Sequence, residues 1–191
     1  MRYYIADCHF FHEALNREMD HRGFASVEEM NEYMIKRWNE KVRNRDEVVI
    51  LGDLSMGNAE QTNALLDRLQ GKLFLIVGNH DNRYLRSKTF HKERFGWIYP
   101  YAELHDDGRK VVLSHYPIAC YNGQYLKNKK GEPRTYMLYG HVHDSHDERL
   151  IEQYQQMVEK TRIPDRDGGT QSLSSHMINC FCMYSDYQPL S

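Results

Sequence analysis

Five short apolar runs in this chain each end in a small cluster of polar residues drawn mainly from Asp, His and Asn. Runs of this length, rich in β-branched and aromatic residues, predict buried β-strands. The runs cover residues 3–6, 48–51, 73–77, 111–113 and 137–139, and the motifs that close them are Asp7-Cys8-His9, Gly52-Asp53, Gly78-Asn79-His80-Asp81, Ser114-His115 and Gly140-His141-Val142-His143. Any fold of this chain must therefore place polar side chains at the ends of five buried strands.

Several stretches between these runs have the periodicity of amphipathic helices, which predicts an α/β fold. Three helices are predicted, over residues 26–42, 58–71 and 147–160, the first of them opening on a capping box of Ser26 and Glu29. Residues 165–175 have the composition of a loop, and residues 177–184 predict a final strand. No repeat or linker divides the chain, so we expect a single domain over residues 1–191.

The overall composition argues against several classes of protein. The chain has 191 residues, of which 27% are charged and 40% hydrophobic, as in ordinary globular proteins. Its net charge of -2 argues against a nucleic-acid partner, because phosphate backbones select basic surfaces. No apolar run approaches the length of a membrane span and no signal-peptide core is seen, so no membrane partner is expected. The four cysteines form no Cys-x-x-Cys pair, which favours a cytoplasmic location.

Residues just beyond the carboxyl ends of the strands line the functional crevice of an open α/β sheet. We therefore expect the five motifs to meet at one edge. Imidazoles, carboxylates and amide oxygens are ligands for Mn, Fe, Zn or Ni rather than for soft ions. The candidate ligands are too many for one tetrahedral ion and suit two ions that share a bridging carboxylate; they are Asp7, His9, Asp53, Asn79, His115, His141 and His143.

The order of these motifs resembles the calcineurin-like metallophosphoesterases, whose Asp-x-His, Gly-Asp, Gly-Asn-His-Asp, lone His and Gly-His-x-His motifs are matched between residues 7 and 143. Residues 7–12, 22–24, 26–30, 38–39 and 186–190 further resemble the compact bacterial and phage branch of that family. The resemblance implies a four-layer α/β/β/α sandwich with a metal site at the carboxyl-terminal ends of the strands.

The resemblance also implies a role for each motif residue. Asp7, His9 and His143 would bind the first ion. Asn79, His115 and His141 would bind the second, and Asp53 would bridge the two. The ions would be divalent transition metals, with Mn favoured over Fe, Zn and Ni. A metal-bridging hydroxide would then hydrolyse a small phosphodiester or phosphomonoester, nucleotide-like esters included, while His80 protonates or orients the leaving oxygen.

One departure from the protein phosphatases of this superfamily concerns the residue that orients the catalytic imidazole. Those enzymes carry a second Asp three residues after the Gly-Asp motif, and Met56 stands there in this chain. Either Asp81 or another carboxylate orients His80, or its ring is unpaired. The departure disfavours a phosphoprotein phosphatase, which stays an alternative beside a non-enzymatic metal-binding interaction scaffold.

Two further residues are candidates for substrate binding. His12 could reach into the cleft or support His9, and Arg22 could hold a substrate phosphate or pair with Asp20 or Glu18. We expect substrate selectivity to come from three walls around the metal site, formed by residues 10–24, 82–99 and 116–136.

Overall fold

The computed structural model of the chain describes residues 1–165 and 167–191. Each of the five predicted strands is present, and further strands appear beside them. The strands and α-helices, in chain order, are β1 (Arg2–Ile5), α1 (Val27–Lys41), β2 (Glu47–Leu51), α2 (Ala59–Arg68), β3 (Lys72–Ile76), α3 (Asn82–Leu85), β4 (Phe95–Tyr99), β5 (Tyr101–Asp106), β6 (Arg109–Ser114), β7 (Thr135–Tyr139), α4 (His146–Lys160), β8 (Arg162–Pro164), β9 (Thr170–Ser172) and β10 (Met177–Asn179).

The described strands form two four-stranded sheets and one short hairpin. The first sheet has the order β1-β2-β3-β4 and is parallel throughout, with Ile5 opposite Ile50 and Leu51 opposite Ile76. The second has the order β10-β7-β6-β5, in which only the β5–β6 pair is antiparallel. Strands β8 and β9 form the hairpin. Parallel pairing places the carboxyl ends of β1, β2 and β3 at one edge of the first sheet.

Side chains alternate between the two faces of each central strand and so divide the core into layers. In β2, Val48 and Ile50 face α1 and α2, whereas Val49 faces the second sheet. In β6, Leu113 faces the first sheet and Val112 faces the α4 side. Because both faces of these strands are buried, the strands read as continuous apolar runs.

Helices cover the two outer faces. Trp38 of α1 is fully buried against the first sheet, and its indole N–H donates to the carbonyl of Gln70 at 2.9 Å. On the second sheet, Ile151 and Tyr154 of α4 pack against Met137 and Tyr139 of β7. The predicted four-layer α/β/β/α sandwich is confirmed. None of the described helices combines the length and the apolar composition that crossing a membrane requires.

Several predicted boundaries are corrected. The second helix ends at Arg68 rather than at Gly71, because Leu69 already has extended backbone angles. The final strand ends at Asn179, after which the chain crosses to the first sheet, where Phe181 pairs with Ala6. The stretch predicted as a loop over residues 165–175 contains β9, and residue 166 lies outside the described residues.

Strands β4 and β5 have no counterpart in the sequence-based prediction. Both lie at sheet edges, and β5 alternates between exposed and half-buried positions along its whole length. An edge strand of this kind lacks the continuous apolar run that identifies a central strand.

Candidate metal centre

The seven predicted ligands lie at the carboxyl ends of five strands. Asp7 and His9 follow β1, Asp53 follows β2, and Asn79 follows β3. The remaining three, His115, His141 and His143, follow β6 and β7 of the second sheet. The structure brings all seven together. Six of them form two groups whose donor atoms lie within 4.8 Å of one another, namely Asp7, His9 and His143, and Asp53, His115 and His141.

The first group joins the two sheets. The Nε2 atoms of His9 and His143 are 3.2 Å apart, and His143 Nε2 is 3.7 Å from Asp7 Oδ1. Both Asp7 carboxylate oxygens also accept from the backbone N–H of His141, at 3.0 and 2.9 Å. The Asp7 side chain is fully buried.

The second group converges on the amide oxygen of Asn79. His115 Nε2 is 2.8 Å and His141 Nδ1 is 3.0 Å from Asn79 Oδ1. His115 Nδ1–H donates to the backbone carbonyl of Leu51 at 2.8 Å, which leaves a lone pair on Nε2. That lone pair therefore faces the Asn79 oxygen and, at 3.5 Å, Asp53 Oδ2.

Asp53 lies between the two groups. Its Oδ2 is 3.6 Å from His9 Nε2 and 3.5 Å from His115 Nε2, while its Oδ1 accepts from the backbone N–H of His80 at 2.8 Å. The ring nitrogens, the carboxylate and the amide oxygen of this group can each present a lone pair to the same point, and a cation there would bind all of them at once. The donor set therefore fits divalent ions.

Five of the seven side chains are carried on strained backbone. Asp7, His9, Asp53, His141 and His143 have φ angles of 56°, 48°, 54°, 72° and 50°. This left-handed region costs a residue other than glycine about 1 kcal/mol or more and concentrates at functional sites. The left-handed backbone conformation turns each side chain towards the site at the point where its strand ends.

Three motif glycines are required by the close approach of these side chains, and a Cβ atom on the first of them, Gly52, would lie 2.3 Å from His115 Nδ1. A Cβ atom on Gly78 would lie 2.2 Å from Asp53 Oδ1, and one on Gly140 would lie 2.5 Å from Asp7 Oδ2. Any larger residue at one of these positions would displace a candidate ligand.

Burial shifts the pKa of several candidate ligands. It lowers the pKa of His9, His115 and His141, which favours the neutral imidazole that metal binding needs. Burial also raises the pKa of Asp7 and Asp53. The charge of Asp53 is a further cause of the raised pKa of Asp7, and a positive charge between the two buried carboxylates would stabilise both, which supports the same assignment.

His80 lies at the mouth of the site. Its Nε2 is 3.9 Å from Asp53 Oδ2, too far for a hydrogen bond, and 41% of the side chain is exposed. Asp81 does not orient this ring, because its oxygens accept from the backbone N–H groups of residues 53, 54 and 78 and from the Tyr84 hydroxyl. Among the described residues, none accepts a hydrogen bond from the His80 ring.

The two candidate substrate-binding residues differ in their surroundings. His12 lines the cleft, and its Nδ1 accepts from the backbone N–H of Leu15 at 3.3 Å. Of the two interpretations of Arg22, the structure has the pairing with Asp20: its side chain is 0% exposed, lies 2.9 Å from Asp20 Oδ2 and is absent from the lining of the cleft. Burial alone would raise the pKa of Asp20, but the hydrogen bond from His143 and the positive charge and hydrogen bonds of Arg22 hold that pKa below its ordinary value.

The cleft above the two groups has a volume of about 410 Å³. Of the three predicted walls, only residues 10–24 contribute to it, and the segment after β7 supplies the other wall in place of residues 82–99 and 116–136. Sequence reasoning assigned no role to four residues of the lining, which are Val142, Asp144, Ser145 and Asp147. They lie within or just after the Gly-His-x-His motif, so the motif itself marked that wall.

Histidine and carboxylate ligands gathered at the strand ends of a two-sheet sandwich define the class of metal-dependent hydrolases. The model of the calcineurin-like phosphoesterase family matches residues 3–177, and the chain belongs to this family. It is therefore a metal-dependent phosphoesterase, and divalent metal ions are implied by the family and by the two ligand groups.

Relatives of the chain occur in archaea and phages. The chain is 35% identical to the uncharacterised protein MJ1445 of Methanocaldococcus jannaschii, over 75% of this chain and 70% of that protein. It is 28% identical to the gene 66 protein of Mycobacterium phage L5, over 74% of this chain and 76% of that protein. This second likeness is consistent with the compact phage branch.

A solved structure shares the fold. The protein of unknown function AQ665 from Aquifex aeolicus superimposes with a TM-score of 0.67 and 21% sequence identity, covering 100% of this chain and 94% of that one. At this identity the likeness supports the fold alone.

Proposed function

We propose that this protein hydrolyses a small phosphodiester at a centre of two divalent ions. The observation that carries the proposal is the position of Asp53, whose Oδ2 lies 3.6 Å from a ring nitrogen of the first group and 3.5 Å from one of the second. A carboxylate placed in this way suits a bridging ligand. Asp7, His9 and His143 would hold one ion, and Asn79, His115 and His141 the other.

The bound ions, His80 and His12 would each have a separate role in ester hydrolysis. Two bound ions would neutralise the phosphoryl oxygens and lower the pKa of a water that serves as the nucleophile. His80, exposed at the mouth of the cleft, would protonate the departing oxygen on the opposite side of phosphorus. His12, on the wall nearest to His9, would contact the ester group.

The charge of the cleft favours a diester over a monoester. None of the described side chains that line it is Lys or Arg, and three of them are Asp20, Asp144 and Asp147. A monoester dianion carries more charge than a diester and is normally met by guanidinium or ammonium groups. Leu15, Met19 and Val142 give the same cleft an apolar strip beside the metal ligands. A singly charged phosphodiester with an apolar substituent suits these walls.

Mn is the metal we propose, because a mixed set of imidazole, carboxylate and amide oxygen ligands suits it.

The four cysteines are unpaired among the described residues, which supports a reducing, cytoplasmic environment.

The test of this function compares two synthetic esters. With Mn supplied, the wild-type protein should hydrolyse bis(p-nitrophenyl) phosphate with a kcat/KM about tenfold or more above that for p-nitrophenyl phosphate, a difference of about 1.4 kcal/mol. The metal-stripped protein should be inactive on both. If the protein binds two ions and hydrolyses neither ester, nor a panel of natural phosphodiesters, the proposed function is wrong. Faster hydrolysis of the monoester would contradict the diester preference.

The role of His80 is tested by changing the leaving group. We expect His80→Ala to lower kcat about a hundredfold for a diester with an alkoxide leaving group and far less for one that releases nitrophenolate, because only the alkoxide needs a proton. His105→Ala, which removes an exposed histidine of β5, is the matched control and should change neither rate. Equal losses with both leaving groups would refute the general-acid role.

A further inference from the structure

Arg22 is a buried residue whose guanidinium donates hydrogen bonds to the backbone of the Asp7-Cys8-His9 motif. Its side chain is 0% exposed and is absent from the lining of the cleft. Nη1 donates to the backbone carbonyl of Cys8 at 2.7 Å, and Nη2 donates to that of Asp7 at 3.1 Å. Both carbonyls belong to the Asp7-Cys8-His9 motif, so the guanidinium fixes the backbone from which two ligands project.

The same guanidinium holds the third ligand of the first group through Asp20. Nε and Nη2 donate to Asp20 Oδ2 at 3.1 and 2.9 Å. The other oxygen, Oδ1, accepts from His143 Nδ1–H at 2.8 Å. With its proton committed to Asp20, His143 presents the lone pair of Nε2 towards His9 and Asp7.

These contacts link parts of the site that come from different sheets. Asp7 and His9 follow β1 of the first sheet, whereas His143 follows β7 of the second. All three have positive φ angles, so their backbone depends on outside contacts to hold its shape. Arg22 bonds directly to the carbonyls of Asp7 and Cys8 on the first side, and it reaches the second side through Asp20, which accepts from His143.

The second group is held in another way. His115 Nδ1 donates to the carbonyl of Leu51, and His141 Nδ1 faces Asn79. In the described part of the chain, neither ring forms a hydrogen bond with Arg22 or Asp20. A change in the Arg22–Asp20 pair should therefore act on one metal site and leave the other unchanged.

We propose that Arg22 and Asp20 are positioning residues that assemble the first metal site across the two sheets and set its affinity for a divalent ion. The inference rests on the metal centre of the proposed function. It assigns Arg22, which is absent from the lining of the cleft, to the site without contact with substrate. It also predicts that the two sites of the centre depend on different supporting residues.

The experiment measures metal binding rather than turnover. Mn is titrated into metal-stripped wild type and Asp20→Asn by calorimetry, and the magnetic coupling of two bound Mn ions is followed by electron paramagnetic resonance. We expect Asp20→Asn to weaken one site about 10- to 100-fold and leave the other unchanged. With one equivalent of Mn per site, the wild type should give the electron paramagnetic resonance signal of two coupled ions. Asp20→Asn should give the signal of an isolated ion.

A second variant tests the guanidinium. Arg22→Lys keeps the positive charge, but a single ammonium does not reach the two carbonyls and Asp20 together. It should weaken the same site. Glu32→Gln, which breaks the exposed Glu32–Arg68 pair, is the matched control and should leave both affinities unchanged. Circular dichroism of the metal-free proteins shows whether each variant is folded. If Arg22→Lys is unfolded, the inference is decided by Asp20→Asn, which leaves the buried cation in place.

The outcomes separate this inference from the proposed function. Equal weakening of both sites, or no change in either, would overturn the inference even if the enzyme is active. If the wild type binds two ions without hydrolysing any phosphoester, the proposed function falls and the inference is judged on the affinities alone. If the wild type binds no divalent ion, both are wrong.

Discussion

Asp53→Asn is expected to abolish metal-dependent hydrolysis. The Asp53 carboxylate lies within 3.6 Å of ring nitrogens from both ligand groups, and its Oδ1 also fixes the backbone of His80. An amide of the same size removes the negative charge that two cations would share. A loss of about 4 kcal/mol in transition-state stabilisation is reasonable for such a site, which corresponds to about a thousandfold in kcat/KM. The measurement is hydrolysis of bis(p-nitrophenyl) phosphate with saturating Mn.

A matched carboxylate far from the site provides the control. Asp106 lies at the end of β5 and accepts one hydrogen bond, from the Tyr4 hydroxyl at 2.7 Å. Asp106→Asn should retain wild-type activity. Activity of Asp53→Asn within about tenfold of wild type would show that no bridging carboxylate is needed at this position.

Asp81→Ala is expected to cause the largest loss of stability. The carboxylate is fully buried and accepts from the backbone N–H groups of Asp53, Leu54 and Gly78 at 3.0, 3.0 and 2.7 Å, and from the Tyr84 hydroxyl at 2.7 Å. Alanine leaves these donors buried without partners. We expect the free energy of unfolding of the metal-free protein to fall by about 4 kcal/mol and Tm to fall by about 10 °C.

A milder variant calibrates this result. Tyr84→Phe removes one of the four donors together with its demand for a partner, so its cost should be about 1 kcal/mol. Both values come from urea denaturation followed by circular dichroism. A loss below about 1 kcal/mol for Asp81→Ala would mean that other groups satisfy these backbone donors, and Asp81 would then have no central structural role.

The sequence predicted the strands that carry the metal ligands because their burial on both faces leaves a clear apolar signature. Val48 to Leu51 is such a run, and its closing Gly52-Asp53 motif places Asp53 at the strand end. The edge strands β4 and β5 left no such signature, since exposed and half-buried positions interrupt both of them. The crossing of the chain from β10 to Ala6 depends on a contact between distant segments and has no local signal.

The supporting residues of the site were harder to identify from the sequence than the ligands. Arg22 had two interpretations, and only the fold of residues 15–24 decides between them by burying the guanidinium beside Asp20. Asp81 follows His80 directly, which suggested a contact with that ring. Its side chain instead turns towards backbone donors that follow β2 and β3, and the tertiary structure brings these two strand ends together.

The metal content of the protein tests the central claim most directly. Wild-type protein and Asp53→Asn are purified with Mn supplied, dialysed, and measured by inductively coupled plasma mass spectrometry together with protein concentration. The two ligand groups around Asp53 predict close to two divalent ions per chain in the wild type and a clear loss in the variant. A wild-type protein that binds no divalent ion under these conditions, or one whose content is unchanged by Asp53→Asn, would contradict the account.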